Sequence, residues 1–294
     1  MELTYYTLDV FTDRIFGGNP LAVVVDAPEL SGELMQRITR EFNYSETVFV
    51  LPPAGPGAHR RVRIFTPGRE LPFAGHPTIG TALLLAELGV GPGGEIVLEE
   101  PVGNVRVTIS RSPSGPAYAE LTVPGKPELR KVATTPDVIA SVVGLSPDDL
   151  AVPGEGLTAA SCGVPFVMVP VQSAATLARA EASTAKWREH LADQWARELY
   201  LFCEEPDGIR ARMFAPGMGI PEDPATGAAA AALAAYLATY SPDGDHRRTI
   251  QQGIEMGRPS TLQISWEKQD GEIRAVRVGG TAVRVATGTL TVSR

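Results

Sequence analysis

"GHPTIGTALLLAELG" (residues 75–89) sets a histidine and a proline ahead of an apolar run that closes on Gly89. The run of alanine and leucine predicts a helix over about 78–88, stopped by that glycine. "EDPATGAAAAALAAYL" (222–237) repeats the device. Asp223 stands where His76 stands and Gly227 where Gly80 stands, both at an offset of 147 residues. Small residues let such a helix lie close against a sheet. The free N–H groups of its first turn then favour an anion such as a substrate carboxylate.

Other segments match in the same order. "GNPLAVV" (18–24) resembles "GVPFVMV" (163–169), and "RIFTP" (63–67) resembles "RMFAP" (212–216). "VGNVRVTI" (102–109) has a weaker counterpart in "MGRPSTLQI" (256–264). Several ordered matches at offsets near half of 294 residues point to a duplication. A repeat of that length is a domain in itself, so two similar α+β halves are expected, at 1–128 and 129–283. The connection is expected in "PGKPELRKVATTP" (124–136). The closing segment 284–294, with "TGTLTVSR", lacks a counterpart at the end of the first half and is expected to cross back and complete the first sheet.

Alternating and β-branched stretches predict strands at 3–10, 21–25, 47–51, 61–65, 96–99, 104–109 and 117–123. Residues 31–42 have helical spacing: Leu34, Ile38 and Phe42 share a face, Ser31 can cap, and Leu30 can staple against that face.

Charge and composition exclude several function classes. A net charge of −8, with Lys and Arg scattered, argues against nucleic acid and anionic membranes as partners. The start, "MELTYYTLDVF", has neither a basic nor an uninterrupted apolar region, so no signal peptide is expected and the cytoplasm is the expected location. Two cysteines without a CxxC cannot build a disulfide framework.

Familiar motifs are missing. Gly89, Gly91 and Gly94 fit GxGxxG by count, but they follow a helix, precede a strand and enclose Pro92, the reverse of a dinucleotide site. His59, His76, His190 and His246 lack metal-ligand spacing, and GxSxG does not occur. Cys162 reads as a small buried hydrophobe. Glu46, in "NYSETVFVL", reads locally either as a solvated strand-end charge or as a half-buried acid able to take and return a proton.

"FGGNPLAVV", "NYSETVFVL", "FTPGRELPFAGHPTIGTA" and "RMFAPGMGIPEDPATGAAA", in this order, resemble the phenazine-biosynthesis PhzF-like isomerases, which share the diaminopimelate epimerase fold. The resemblance runs from about residue 5 to the end. It implies two pseudo-symmetric α+β domains, each a mostly antiparallel sheet or barrel round a central helix. It further implies an active site in the cleft, a homodimer and no cofactor.

By the same resemblance Glu46 holds the acid/base position, while His76 and Asp223 orient substrate and share its proton network. Gly75 and Gly227 fall where backbone N–H groups approach the substrate, and Asn19 lies in the GNP loop. Ala228 stands where the family motif EDPATGS carries serine, so a hydroxyl contact to substrate is lost. The related epimerases use one cysteine from each half; neither Cys162 nor Cys203 lies in the helix motifs, so two-thiol racemisation is not expected. The expected function is cofactor-independent isomerisation of a small carboxylate-bearing substrate, with no metal. The alternatives are an amino- or imino-acid epimerase or racemase, and a non-catalytic binding protein on the same scaffold.

Overall fold

The computed structural model describes residues 1–27, 30–91, 93–111, 115–154 and 156–292. Pro92 and the last two residues of 284–294 lie outside them. The chain divides into two compact units, Met1–Pro124 with Gly279–Arg294, and Gly125–Val278.

The first unit runs β1 (Glu2–Val10), β2 (Asn19–Val24), α1 (Gly32–Phe42), β3 (Glu46–Leu51), β4 (Arg60–Phe65) and β5 (Glu70–Leu71). It continues with α2 (Gly75–Glu87), β6 (Glu95–Glu100), β7 (Gly103–Arg111) and β8 (Ala117–Thr122). The second runs β9 (Glu128–Lys131), α3 (Pro136–Val142), β10 (Thr158–Ser161), β11 (Pro165–Pro170), α4 (Ala174–Arg179), α5 (Thr184–His190), β12 (Glu198–Glu205) and β13 (Gly208–Ala215). After these come β14 (Ile220–Asp223), α6 (Gly227–Tyr240), β15 (Gly244–Gln252), β16 (Ser260–Gln269) and β17 (Glu272–Thr291).

One pairing pattern occurs twice. β1–β2 is antiparallel, β2–β3 parallel, β3–β4 antiparallel, β4–β6 parallel and β6–β7 antiparallel. β10–β11, β11–β12, β12–β13, β13–β15 and β15–β16 repeat those senses in order. Each parallel step needs a crossover, which α1 and α2 supply in the first unit and α4, α5 and α6 in the second. In the first unit β7 pairs with β8, β8 with β17, and β17 with β1, so eight strands close a ring. Closure leaves that sheet without a free edge.

α2 is enclosed by this ring. Every residue from Gly75 to Leu85 is buried, as expected of a helix that is apolar on all sides. Gly80 is where the helix comes closest to its strands: a Cβ there would lie 2.6 Å from Val10 Cγ2 and 2.7 Å from Leu21 Cδ2. In α6 the run of alanines does the same work, with Ala229–Tyr236 buried. α1 covers the outside of its sheet through Met35 and Ile38, in a cluster with Leu30, Phe49 and Phe65. Ser31 caps it by accepting from Leu34 N–H at 3.2 Å.

The structure differs from the sequence reading at three places. α2 starts at Gly75, not near 78, so His76 lies inside its first turn. Pro77 fits there because the first-turn N–H groups have no helical acceptor to lose. The segment 124–136 is not a plain connection: β9 lies within it and pairs antiparallel with β10. β9 thereby does for β10 what the end of β17 does for β1, and it is the counterpart that the closing segment was expected to lack. Its sequence, "ELRK", has no buried side, which is why no apolar alternation marks it.

Candidate active-site residues

In the first unit three elements bring Asn19, Glu46 and His76 together. Asn19 opens β2 and Glu46 opens β3; the parallel register sets Leu21 opposite Glu46. His76 is the second residue of α2. Its Nε2 lies 3.4 Å from Glu46 Oε2, and its Nδ1 lies 3.5 Å from the Asn19 amide nitrogen. The His76 side chain is 6% exposed and that of Glu46 13%. Glu46 is therefore half-buried at a strand end, not freely solvated.

Burial pushes the His76 imidazole down to about 3, so the ring is neutral across the physiological range. The Asn19 amide nitrogen, a donor, faces Nδ1, an arrangement that suits a neutral ring protonated on Nε2, the nitrogen on the Glu46 side. Pro77 has no N–H, so Gly75 and His76 are the first-turn residues that can present backbone donors at this end of α2.

In the second unit Asp223 closes β14 and is buried. Thr226 donates its hydroxyl to Asp223 Oδ2 at 2.5 Å. Gln252 Nε2 donates to the Asp223 carbonyl at 2.8 Å and to Thr226 Oγ1 at 3.1 Å. Gln252 Oε1 accepts from the Tyr200 hydroxyl at 3.1 Å and from Thr226 N–H at 3.4 Å.

These directions are forced. A flipped Gln252 would set its oxygen against the Asp223 carbonyl and its NH2 against the Thr226 N–H. Burial first, and the charge of Asp223 second, push the Tyr200 phenol up, which keeps it a donor. Thr226, with one hydrogen and Gln252 donating to its oxygen, must give that hydrogen to Asp223. Oδ2 is thus fixed as an acceptor, and any proton Asp223 carries belongs on Oδ1. Gly227 and Ala228 form the first turn of α6. Although His76 and Asp223 match in sequence, one stands inside its helix and the other four residues before Gly227.

Two arginines escaped the sequence reading. Arg63 grips Glu70 with two 2.7 Å bonds and lies over the Phe65 ring at 5.1 Å. Arg212 grips Glu222 with two 2.8 Å bonds and lies over Phe214 at 4.9 Å. Arg212 also donates to the carbonyls of Leu177, Ala178 and Ala180. Each fork ties a long strand to the short strand that leads into α2 or α6. The signal was present in the matched "RIF" and "RMF", each followed by an acid on the way to the helix.

Cys162 and Cys203 are free and buried. Burial pushes the first thiol up to about 12 and the second to about 11, so neither is a ready thiolate. Among the described residues no helix is long and apolar enough to cross a membrane.

Comparison with known proteins places this geometry in context. The family described as phenazine biosynthesis-like protein, PhzC-PhzF, matches residues 8–288. An uncharacterized isomerase of Mesorhizobium japonicum is 42% identical, covering 97% of this chain and 98% of its own. The trans-2,3-dihydro-3-hydroxyanthranilate isomerase of Pseudomonas aeruginosa is 35% identical, over 97% and 98%. Among solved structures, a PhzF-family phenazine biosynthesis protein of Bacillus anthracis superposes with a TM-score of 0.90 at 26% identity, covering 99% of this chain and all of its own.

Proposed function

The chain belongs to the phenazine biosynthesis-like PhzC-PhzF family and is an isomerase, and from that premise we propose that it moves a proton between carbons of a small carboxylate-bearing substrate without a cofactor. The observation that carries this reading is the Glu46–His76 pair. His76 is neutral and too weak a base to keep a proton near pH 7. It can direct its Nε2–H at Glu46 and steady the carboxylate, which leaves Glu46 as the group that takes the proton and returns it.

Asn19 sets the ring of His76 and so belongs to the same apparatus. Gly75, with Gly227 and Ala228, offers first-turn N–H groups to substrate oxygens. Asp223, with Oδ2 held by Thr226, serves as a second acid through Oδ1. Ala228 offers no hydroxyl, so the preferred substrate makes no side-chain hydrogen bond at that position.

The substrate of the Pseudomonas aeruginosa relative, trans-2,3-dihydro-3-hydroxyanthranilate, is the first compound to try, followed by a panel of cyclic and unsaturated carboxylates. In deuterium oxide the protein should place solvent deuterium on a substrate carbon. Glu46→Gln should slow this by about 10²–10⁴-fold. Equal rates in the variant would remove Glu46 from the chemistry. Binding without any C–H exchange across the panel would favour a binding protein.

A further inference from the structure

The end of β6 and the end of β15 are equivalent places. In the parallel register Arg61 stands opposite Glu99 on β6, and Arg210 stands opposite Gln251 on β15. Arg61 and Arg210 are themselves equivalent, since the match of "RIFTP" to "RMFAP" carries the same offset of 149. One residue on, Glu100 is the counterpart of Gln252. Both are buried, at 4% and 0% exposure. Gln252 is a neutral amide with all four hydrogen-bonding positions used.

Glu100 has a similar duty. Its Oε1 lies 2.7 Å from Thr78 Oγ1, which itself lies 2.7 Å from the Ala74 carbonyl. Thr78 owns one hydroxyl hydrogen and the carbonyl owns none. Two such short contacts need a second hydrogen, and only Glu100 can supply it. The hydrogen-bonded chain is then Glu100 O–H to Thr78 O–H to Ala74 C=O.

We propose that Glu100 is a neutral carboxylic acid that donates to Thr78 and fixes Ala74, the residue capping α2, as a positioning residue for Gly75 and His76. It does as an acid in its unit what Gln252 does as an amide in the other. The proposal rests on the reading that the α2 end serves the reaction. Burial pushes the Glu100 carboxyl up to about 8. No opposite charge is among the causes that set the Glu100 carboxyl. Of the ionisable groups on the elements around it, His76 on α2 is uncharged. On β4 Arg60 donates to the His59 carbonyl, Arg61 stands opposite Glu99 and Arg63 is paired with Glu70. On β7 Arg106 is paired with Glu95 and Arg111 donates to the Ala86 carbonyl.

The test is NMR of the full chain with side-chain carbonyl-labelled glutamate and ring-labelled histidine. Burial also pushes the Glu198 carboxyl up, to about 7, so at pH 7 more than one glutamate should show protonated-acid character. The signal that is missing in Glu100→Gln should be the one still protonated towards pH 8. The His76 ring signals should keep their positions in Glu100→Gln, whose NH2 can still donate to Thr78, and move in Glu100→Met. Raising the pH through about 8 should shift those ring signals in the wild type and leave them still in Glu100→Gln. Protonated-glutamate signals at pH 7 that are unchanged in Glu100→Gln overturn the proposal, and so does an alkaline shift of the His76 ring that survives in Glu100→Gln. Should Glu100→Met not fold, the wild type and Glu100→Gln alone decide. No substrate enters the experiment, so the Glu46 exchange test can fail while this one succeeds, and the reverse.

Discussion

The Nε2 of His76 lies 3.4 Å from Oε2 of Glu46, and the imidazole in that pair is the group that does not ionise. A histidine beside a carboxylate is usually read as an ion pair. Here enclosure in α2 and its ring of strands outweighs the attraction, because taking a charge out of water costs more than one partly exposed carboxylate returns.

A pH-dependence of stability follows. The His76 ring titrates near 6.5 when unfolded and is lowered to about 3 when folded. Unfolded chains therefore bind a proton that the folded protein refuses. The contribution of His76 is present above pH 6.5 and is lost as pH falls from there towards 3, by on the order of a few kcal/mol. Urea unfolding at pH 7 and pH 5 should show a steeper loss in the wild type than in His76→Gln. A protonated His76 in the folded protein at pH 5, seen by ring nitrogen chemical shifts, would contradict this account.

Gly80 sets how closely α2 lies against its ring. Gly80→Ala brings a methyl carbon to within 2.6 Å of Val10 and 2.7 Å of Leu21, so β1, β2 or the helix must shift. The gain in helix propensity, up to about 1 kcal/mol, is smaller than the cost of overpacking, about 1–3 kcal/mol. A net fall in the melting temperature is expected, and an unchanged or raised value would show that the ring yields.

Much of this architecture was legible. The two long helical motifs and the near-constant offset rest on segments that recur along the chain, and the seven early strands rest on alternating or β-branched stretches. What was not legible depends on neighbours distant in sequence. β9 shows no alternation because neither of its faces is buried. Helices α3, α4 and α5 were not assigned, although Ser173 and Ser183 cap two of them by accepting from Thr176 and Lys186 N–H. Glu100 sits in "EEP", which reads as a charged strand end; only the register of β6 beside β4, and α2 behind it, reveals the second of the two acids as buried. The local sequence likewise left open whether Glu46 is a solvated strand end or a half-buried acid, and only β3 and α2, which set it beside His76, show it to be 13% exposed.

Thr226 ties Asp223 into its place through a hydrogen bond of 2.5 Å. Thr226→Val removes that donor and leaves Gln252 Nε2 with one partner fewer. A loss of about 1.5–3 kcal/mol in folding stability is expected at pH 7, whereas Thr226→Ser, which keeps the hydroxyl, should lose clearly less. Equal stability of the two variants would mean that the hydroxyl does not hold Asp223.

The two arginine forks make a sharper contrast, since similar geometry meets different burial. Arg63 and Glu70 have side chains 30% and 35% exposed, a setting in which ion pairs contribute about 0–1 kcal/mol. Arg212 and Glu222 are 8% and 17% exposed, and Arg212 also serves three backbone carbonyls. Arg212→Met should therefore cost about 3–5 kcal/mol, because Glu222 and those carbonyls lose their donors in a dry setting. Arg63→Met should stay within about 1 kcal/mol of the wild type. Double variants with Glu70→Gln and Glu222→Gln, followed by chemical unfolding, separate the pair from its surroundings. Glu222→Gln should recover part of the loss in Arg212→Met by removing the stranded charge, and the carbonyls should keep the remainder unrecovered. Equal losses at Arg63 and Arg212 would show that burial does not set the worth of these forks.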